Sequence, residues 1–465
     1  MSPTMVRAVA YRDPKIANRS ALGIRRSPQV SVEPSVSRTR QTGMPVRRNI
    51  TLLVGGIGAS LFGDGMFVVA IGFAVFAVGG GPGALGMVLL AGVGTIFACI
   101  LPAGVVVDRM PRRHVLAVCD AARCVLQLLA AAIVAHDGAH WTWLLPGSIL
   151  FGAATALHQP ATMSFVADVA PSEELEKVNG SLQAIRGLGI VVGGALAGVI
   201  VATWGPVPVM VVDAATFAVC AACIFAIRLP ASVEQRAPAR VAGGPTGIDD
   251  VRAAVSVVRS HPWLVHGLLL IAGFVVVSYG PIQVVGPQAA SDAAADAGVS
   301  ASVLWAWISA ATAIGMIAGA VAAIMRPVAE TMNALRVLLV LGGLGPIGLA
   351  AGVEPLATLP GFAAIGAAMG LFSSGWESTK QSRIEPRMLA RVASLDMFAQ
   401  LTGMVAGVTV AAALATFVST SLVLWWIGCG CAVLAVASWF SPALTGVFRD
   451  RAGEVRMVAA SSVSG

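Results

Sequence analysis

Asp64 stands in the middle of an apolar run, 50–77, between Gly63 and Gly65, with no basic residue within a helical turn. An ionisable side chain at membrane depth costs about 2.5–3.5 kcal/mol at a helix centre on insertion scales, so it is a functional candidate by default. A carboxylate removed from water and from cations is suited to carry a proton, and Asp64 is the first candidate for that role. A structural aspartate hydrogen-bonded to a facing helix is the other reading, and both stay open here. Asp120 and Arg123 lie three apart in the run 115–135 and can pair on one helix face. Arg123 reaching out to the aqueous boundary is the alternative. His158 and Gln159 in the run 141–166, Arg186 in 179–203 and Glu377 in 358–378 are weaker candidates for lining a cavity. A lone histidine in an apolar run is more often a packing residue, and Arg186 is a possible anion contact.

Other chemistries lack their residues. The six histidines are scattered with no HExxH, no G-x-S-x-G elbow occurs, and no G-x-x-x-x-G-K-[ST] loop occurs. These absences argue against an enzyme and a nucleotide-driven pump, and imply neither metal nor other cofactor. All seven cysteines lie in apolar runs, and Cys220 and Cys223 form a CxxC without a second pair. They read as small packing residues rather than metal ligands.

The elements that must position these residues are membrane helices. The chain is 57% hydrophobic and 11% charged, where a soluble domain averages about 25% charged. Its mean hydropathy is +0.83. A span needs about 20 apolar residues. Twelve runs qualify, at 50–77, 84–106, 115–135, 141–166, 179–203, 207–228, 263–286, 301–325, 335–353, 358–378, 394–417 and 421–441. Only helices satisfy their own backbone at that depth outside a barrel, so the fold class expected is an all-α integral membrane protein of twelve transmembrane helices.

Basic residues alternate between the gaps. The gap 108–114 holds Arg109, Arg112 and Arg113, whereas 78–84 and 136–142 hold no Arg or Lys. The gap 377–392 holds Lys380, Arg383, Arg387 and Arg391, whereas 351–360 and 418–421 hold none. This alternation places both termini in the cytoplasm of a cell with a multi-pass inner membrane. It also accounts for the net charge of +7 without nucleic acid as a partner, because the excess is spread over loops. The leader 1–49 is rich in Arg, Pro and Ser, has no apolar core of signal-peptide length, and reads as a disordered basic cytoplasmic segment. Met44 is a candidate start.

The spans group as a six-helix bundle at 50–228, a cytoplasmic linker at 229–262, a second six-helix bundle at 263–441 and a cytoplasmic tail at 442–465. Asp249 to Trp263 carries apolar positions at helical spacing, so an amphipathic linker helix is expected there. Pro171, Leu175, Val178, Ser181 and Leu182 before the fifth span echo Pro386, Leu389, Val392, Ser394 and Leu395 before the eleventh. That echo points to a duplication, two pseudo-repeats of six helices. Gly189, Gly193, Gly194 and Gly198 in one span, and Gly403 and Gly407 in the other, allow close backbone approach. Ordinary tight packing accounts for them as well as a sliding interface does.

Gly104-Val-Val-Val-Asp108-Arg109-Met-Pro-Arg112-Arg113 follows the second span. It resembles the signature loop of the major facilitator superfamily, G-x-x-x-D-R-x-x-R-R, in the place where that family carries it. Arg112 and Arg113 at the start of a helix and Asp168 at the end of another are each disfavoured by the helix dipole, so pairing across helices is expected. By the resemblance, Gly104, Asp108, Arg109, Arg112, Arg113 and Asp168 form a cytoplasmic gate, with Asp108 facing the start of the eleventh helix near Ser394. Arginines that only set topology are the plainer reading. The stretches GDGMFVVAIGFAVF at 63–76, HQPATMSFVADVAPSEELEKVNGSL at 158–182, VVDAATF at 211–217 and WESTKQSRIEPRMLARVASLD at 376–396 resemble the macrolide-efflux branch, which is similar to siderophore exporters and lysophospholipid transporters. MRPVAETMNALR at 325–336, the second-half counterpart of the signature loop, has lost the pattern.

The resemblance implies a proton-coupled antiporter, exporting amphipathic, drug-like small molecules by alternating access. A dedicated siderophore, lysophospholipid or metabolite transporter without proton coupling is the alternative. The partners expected are the substrate, protons and the lipid bilayer of a bacterial cytoplasmic membrane, with the chain acting as a monomer.

Overall fold

The computed structural model describes residues 44–107, 110–171, 173–228, 255–325, 328–384 and 386–441. Among them runs a series of long helices: α1 (Met44–Ala77), α2 (Pro82–Val107), α3 (Arg112–Ala135) and α4 (Leu144–Val169). A single 3-10 turn, Trp141–Trp143, leads into α4. The next helix, α5, starts as Leu175–Leu188, passes through a π turn at Gly189–Gly193 and continues as Gly194–Trp204. After α6 (Val207–Ala226), α7 repeats that device: Pro262–Phe274, a π turn at Val275–Tyr279, then Gly280–Ala297. The series closes with α8 (Ala301–Met325), α9 (Val328–Ala350), α10 (Pro355–Arg383), α11 (Pro386–Phe417) and α12 (Thr420–Trp439).

Eleven of these helices are long and apolar enough to cross a membrane. The twelfth, α4, has the length, but His158, Gln159, Pro160 and Asp168 dilute its hydropathy. The protein is an all-helical, multi-pass membrane protein. Side chains such as Val118, Leu269 and Val433 stand about two-thirds exposed on the outer faces of their helices. Apolar exposure of that kind is what a lipid solvent permits.

Turn chemistry sets the gaps. Gly205 ends α5 with φ 80°, its N–H returning to the Val201 carbonyl. Gly298 caps α7 in the left-handed region at φ 63°. Few residues but glycine adopt that conformation without strain. Both gaps belong to the set without basic residues.

Several helices run further than their apolar pattern foretells: the first, ninth and eleventh begin at Met44, Val328 and Pro386. The seventh extends to Ala297 and the tenth to Arg383. The gap read at 377–392 is therefore partly helix, and Lys380 is a buried helical residue, not a loop charge. Polar residues continue these helices because they pair locally, as Gln288 does with Asp292 at i,i+4. Of the linker, 255–260 is helical and the rest lies outside the described residues.

Packing follows the small residues. The first six helices contact one another chiefly as α1 with α5 and α6, α3 with α4 and α6, and α2 with α4. Among the last six, α8 meets α10, α9 meets α10 and α12, and α7 meets α11. The bridges between the two sets are α2 with α11 and α5 with α8. A Cβ on Gly83 would stand 2.7 Å from Thr416 Cγ2, and one on Gly198 2.9 Å from the Ser302 carbonyl oxygen. Ser302 also donates to the Gly198 carbonyl at 2.9 Å. These two contacts lie at the end away from the basic loops, and further along α2 and α11 Phe97 meets Phe398 with ring centres 5.0 Å apart.

Candidate functional site

At the middle of α1, two glycines let two helices close on Asp64 from either side. A Cβ on Gly63 would stand 2.5 Å from Asp213 Oδ1 on α6, and a Cβ on Gly65 would stand 2.7 Å from the Ile190 nitrogen in the π turn of α5. Asp64 itself is half-buried and makes no hydrogen bond to a described residue. Its electrostatic neighbours are Arg123, His158, Arg186, Asp120 and Asp213.

The apolar pattern of α3 turns its polar residues inward. Asp120, Arg123 and Gln127 share one face and are all buried. Asp120 pairs with Arg123 on its own helix. His158 Nε2 of α4 lies 3.3 Å from Asp120 Oδ1, and the Cys220 thiol of α6 bonds the same carboxylate. Arg123 does not reach for the membrane surface: it is 3% exposed and its guanidinium lies 4.4 Å from the centre of the Phe217 ring. A cation over an aromatic face gains up to about 2 kcal/mol when desolvated. Gln127 Nε2 donates to Asp213 Oδ2 at 2.8 Å, and Asp213 is fully buried with Oδ1 lacking a hydrogen-bond partner.

The site is thus three carboxylates, Asp64, Asp120 and Asp213, gathered around one buried guanidinium and one histidine. Burying unpaired charge is expensive. One guanidinium neutralises one carboxylate, so the cluster has sites where protons can reside. Its two less-paired members, Asp64 and Asp213, meet at the glycine-thinned crossing of α1 and α6.

Arg186 on α5 is exposed, and its charge reaches both Asp64 and Tyr279 in the π turn of α7. Tyr279 also bonds the Gln283 side chain one turn on. Both π turns therefore bear on the space beside Asp64. Such turns are frequent at functional sites, because the extra residue frees backbone groups and re-aims side chains. Gln159 is exposed on α4 and hydrogen-bonds no described residue.

A second group lies at the basic-loop end. Arg112 Nη1 donates to both oxygens of Asp168, at 2.9 and 2.8 Å. Arg113 donates to the Phe225 carbonyl and stands 6.0 Å from that ring. Gly104 lies within α2, and Asp108 and Arg109 lie outside the described residues. Glu377 stands apart from the Asp64 cluster and pairs with Lys380 at 2.8 Å. Lys380 also pairs with Asp396 of α11 at 2.6 Å, and Trp376 donates to the same carboxylate. The tenth and eleventh helices are thereby pinned by a buried ion pair.

Gln127 and the burial of Lys380 escape a reading of charges alone. The spacing 120, 123, 127 places three polar residues on one helical face, and that signal reveals Gln127 as a partner for an opposing helix. For Lys380, the signal is Glu377 three residues earlier.

A sequence model of the Major Facilitator Superfamily matches residues 53–408. Multidrug efflux pump Tap of Mycobacterium tuberculosis is 28% identical over 198 residues, which are 40% of this chain and 46% of the pump, and the protein of the same name in Mycobacterium bovis matches equally. The chain thus spans about half the length of these relatives. Among solved structures, nucleoside transporter NupG in its D323A form superposes with a TM-score of 0.64 at 13% identity, over 85% of this chain and all of that one. A D-xylose–proton symporter gives 0.65 at 12% identity, over 86% and 98% of the two chains. At such identities the likeness is one of fold.

Proposed function

Since the chain belongs to the major facilitator superfamily and is a membrane transporter of small molecules rather than an enzyme, we propose that it is a proton-coupled exporter of amphipathic compounds. The observation that carries this reading is Asp64: a half-buried carboxylate at mid-membrane, without a hydrogen-bond partner among the described residues, held between α5 and α6 by Gly63 and Gly65. A group so placed can accept a proton in one packing of the helices and release it in another. The partial likeness to a multidrug efflux pump supports export and a drug-like substrate.

In this reading the two sets of six helices are rigid bodies that rock about the site. In one state of that cycle the bridges at Gly83 and Gly198 would hold the outer side shut. Asp108, Arg109, Arg112, Arg113 and Asp168 act on the cytoplasmic side, with the Arg112–Asp168 pair as its described part. The basic loops set both termini in the cytoplasm of a bacterial cell membrane, and the chain works as a monomer. A chain with only 11% charged residues suits amphipathic cargo over sugars.

The deciding experiment measures accumulation of labelled amphipathic drugs in an efflux-deficient host expressing the chain, with and without a protonophore. Lower accumulation that the protonophore restores is the expected result. Unchanged accumulation across the panel overturns the multidrug reading in favour of a dedicated siderophore, lipid or metabolite cargo. Lower accumulation that the protonophore leaves unaltered overturns proton coupling.

A further inference from the structure

The α1, α2, α3, α4 and α6 helices enclose a cavity of about 470 Å³ in their half away from the basic loops. That volume is within the ~300–1,000 Å³ range of small-molecule sites. Neither Asp64 nor Arg186 lines it, and no charged side chain does. Apart from the half-exposed Trp143 indole at the mouth, the walls carry polar side-chain groups at three positions. Two of these are already engaged: Ser148 donates to the Leu144 carbonyl at 3.0 Å, and Thr155 donates to the Phe151 carbonyl at 2.8 Å.

Gln127 is the third. Its side chain is 3% exposed and lines the cavity, and its amide nitrogen is committed to Asp213 at 2.8 Å. Its amide oxygen accepts no hydrogen bond from a described residue. An amide oxygen on a lining residue is an acceptor that an occupant's hydroxyl can satisfy, worth about 0.5–1.5 kcal/mol for an ordinary hydrogen bond. Access is from the side. Leu129 on α3 and Trp143 and Leu150 by α4 line the cavity and are each about half exposed, at 54%, 50% and 57%. They open it toward the lipid-facing surface rather than toward the space beside Asp64.

We propose that this cavity is a second binding site, separate from the transport pathway, for a neutral lipophile of the medium-chain alcohol class that enters from the bilayer. Its chain fills the apolar space and its hydroxyl donates to the Gln127 amide oxygen. An alkane leaves that oxygen unmet, and a charged headgroup finds no counter-ion on the walls. Because Gln127 also holds Asp213, the occupant sits one hydrogen-bonded residue away from the carboxylate that packs against Gly63. The site does not depend on which substrate is transported, nor on proton coupling.

The test is photolabelling of the full chain in nanodiscs with a diazirine-bearing octanol, and in parallel with its hydroxyl-free alkyl diazirine analogue. Mass spectrometry locates the label. The expected result is saturable labelling by the octanol probe concentrated on 126–133 and 143–155, removed by excess 1-decanol. Gln127→Leu should lower octanol labelling about five- to tenfold, the loss of one ordinary hydrogen bond, and leave the alkyl analogue unaltered. Gly147→Phe should abolish labelling by filling the space, since a Cβ at Gly147 meets no atom within 4 Å. Should that variant elute as aggregate, competition by decanol on the unsubstituted chain decides alone. Labelling spread evenly over lipid-facing helices and indifferent to decanol overturns the proposal, as does equal labelling by the two probes.

Discussion

Gly65 and Gly189 meet backbone to backbone, so that the centre of α1 and the π turn of α5 touch without a side chain between them. Asp64 is held at that contact. A Cβ on Gly65 would fall 2.7 Å from the Ile190 nitrogen, closer than real Cβ contacts run. Gly65→Ala should therefore destabilise the protein by about 1–3 kcal/mol, the usual effect of overpacking a tight core. Gly55→Ala on the same helix meets nothing within 4 Å and should stay within about 0.5 kcal/mol of the parent. Thermal unfolding in detergent separates the two. Equal melting temperatures would show that the crossing is looser than described.

Asp64→Asn should abolish uphill export while leaving downhill substrate exchange in proteoliposomes. The amide keeps the shape and loses the exchangeable proton. Asp213→Asn should act differently, because Gln127 already bonds that carboxylate at 2.8 Å. It should weaken coupling only in part. Uphill export surviving in Asp64→Asn would remove Asp64 from the proton path.

Asp120 carries the Arg123 charge at the centre of the membrane. Asp120→Ala leaves a buried guanidinium without its carboxylate, for which about 3–5 kcal/mol of destabilisation is expected. The double variant Asp120→Ala with Arg123→Met removes both charges, and Arg123→Met alone completes the set. The double variant should recover most of that loss, because replacing a buried pair by neutral groups is often near neutral. Tm shifts of the single and double variants form the cycle that checks this. A double variant as unstable as Asp120→Ala would mean that the charges themselves hold α3 in place.

Lys380 is 1% exposed and joined to Asp396 across α10 and α11. Lys380→Ala should cost about 3–5 kcal/mol by stranding Asp396. It should also release the Trp376 indole, which donates to the same carboxylate and stacks on Phe372 with ring centres 5.8 Å apart. A blue shift lost from Trp fluorescence together with a lower Tm is the expected reading. An unchanged spectrum would place the tryptophan's anchoring in its ring contacts alone.

Much of this molecule can be read in one dimension. Helix is the only spanning structure open to such apolar runs, and runs of about 20 residues count themselves. The alternation of arginine between gaps sorts the loops into a basic set and a set without Arg or Lys, the pattern from which an orientation is expected. Asp64, Asp120, Arg123 and His158 were legible as candidates since charge at membrane depth is rare. What no reading of the line could decide is rotation. Whether an exposed or a buried face carries a residue depends on how neighbouring helices pack, and the hydrophobic stripe that reports this in water is erased in lipid, where both faces are apolar. Asp213 has no charged or amide partner within a turn on its own helix, and tertiary packing joins it to Gln127. Lys380 counted among loop charges, and packing buried it against Asp396. The π turns at Gly189–Gly193 and Val275–Tyr279 also belong to the tertiary level. They add a residue to a helix where a neighbour approaches, and nothing in local propensity distinguishes that extra residue from its helical neighbours.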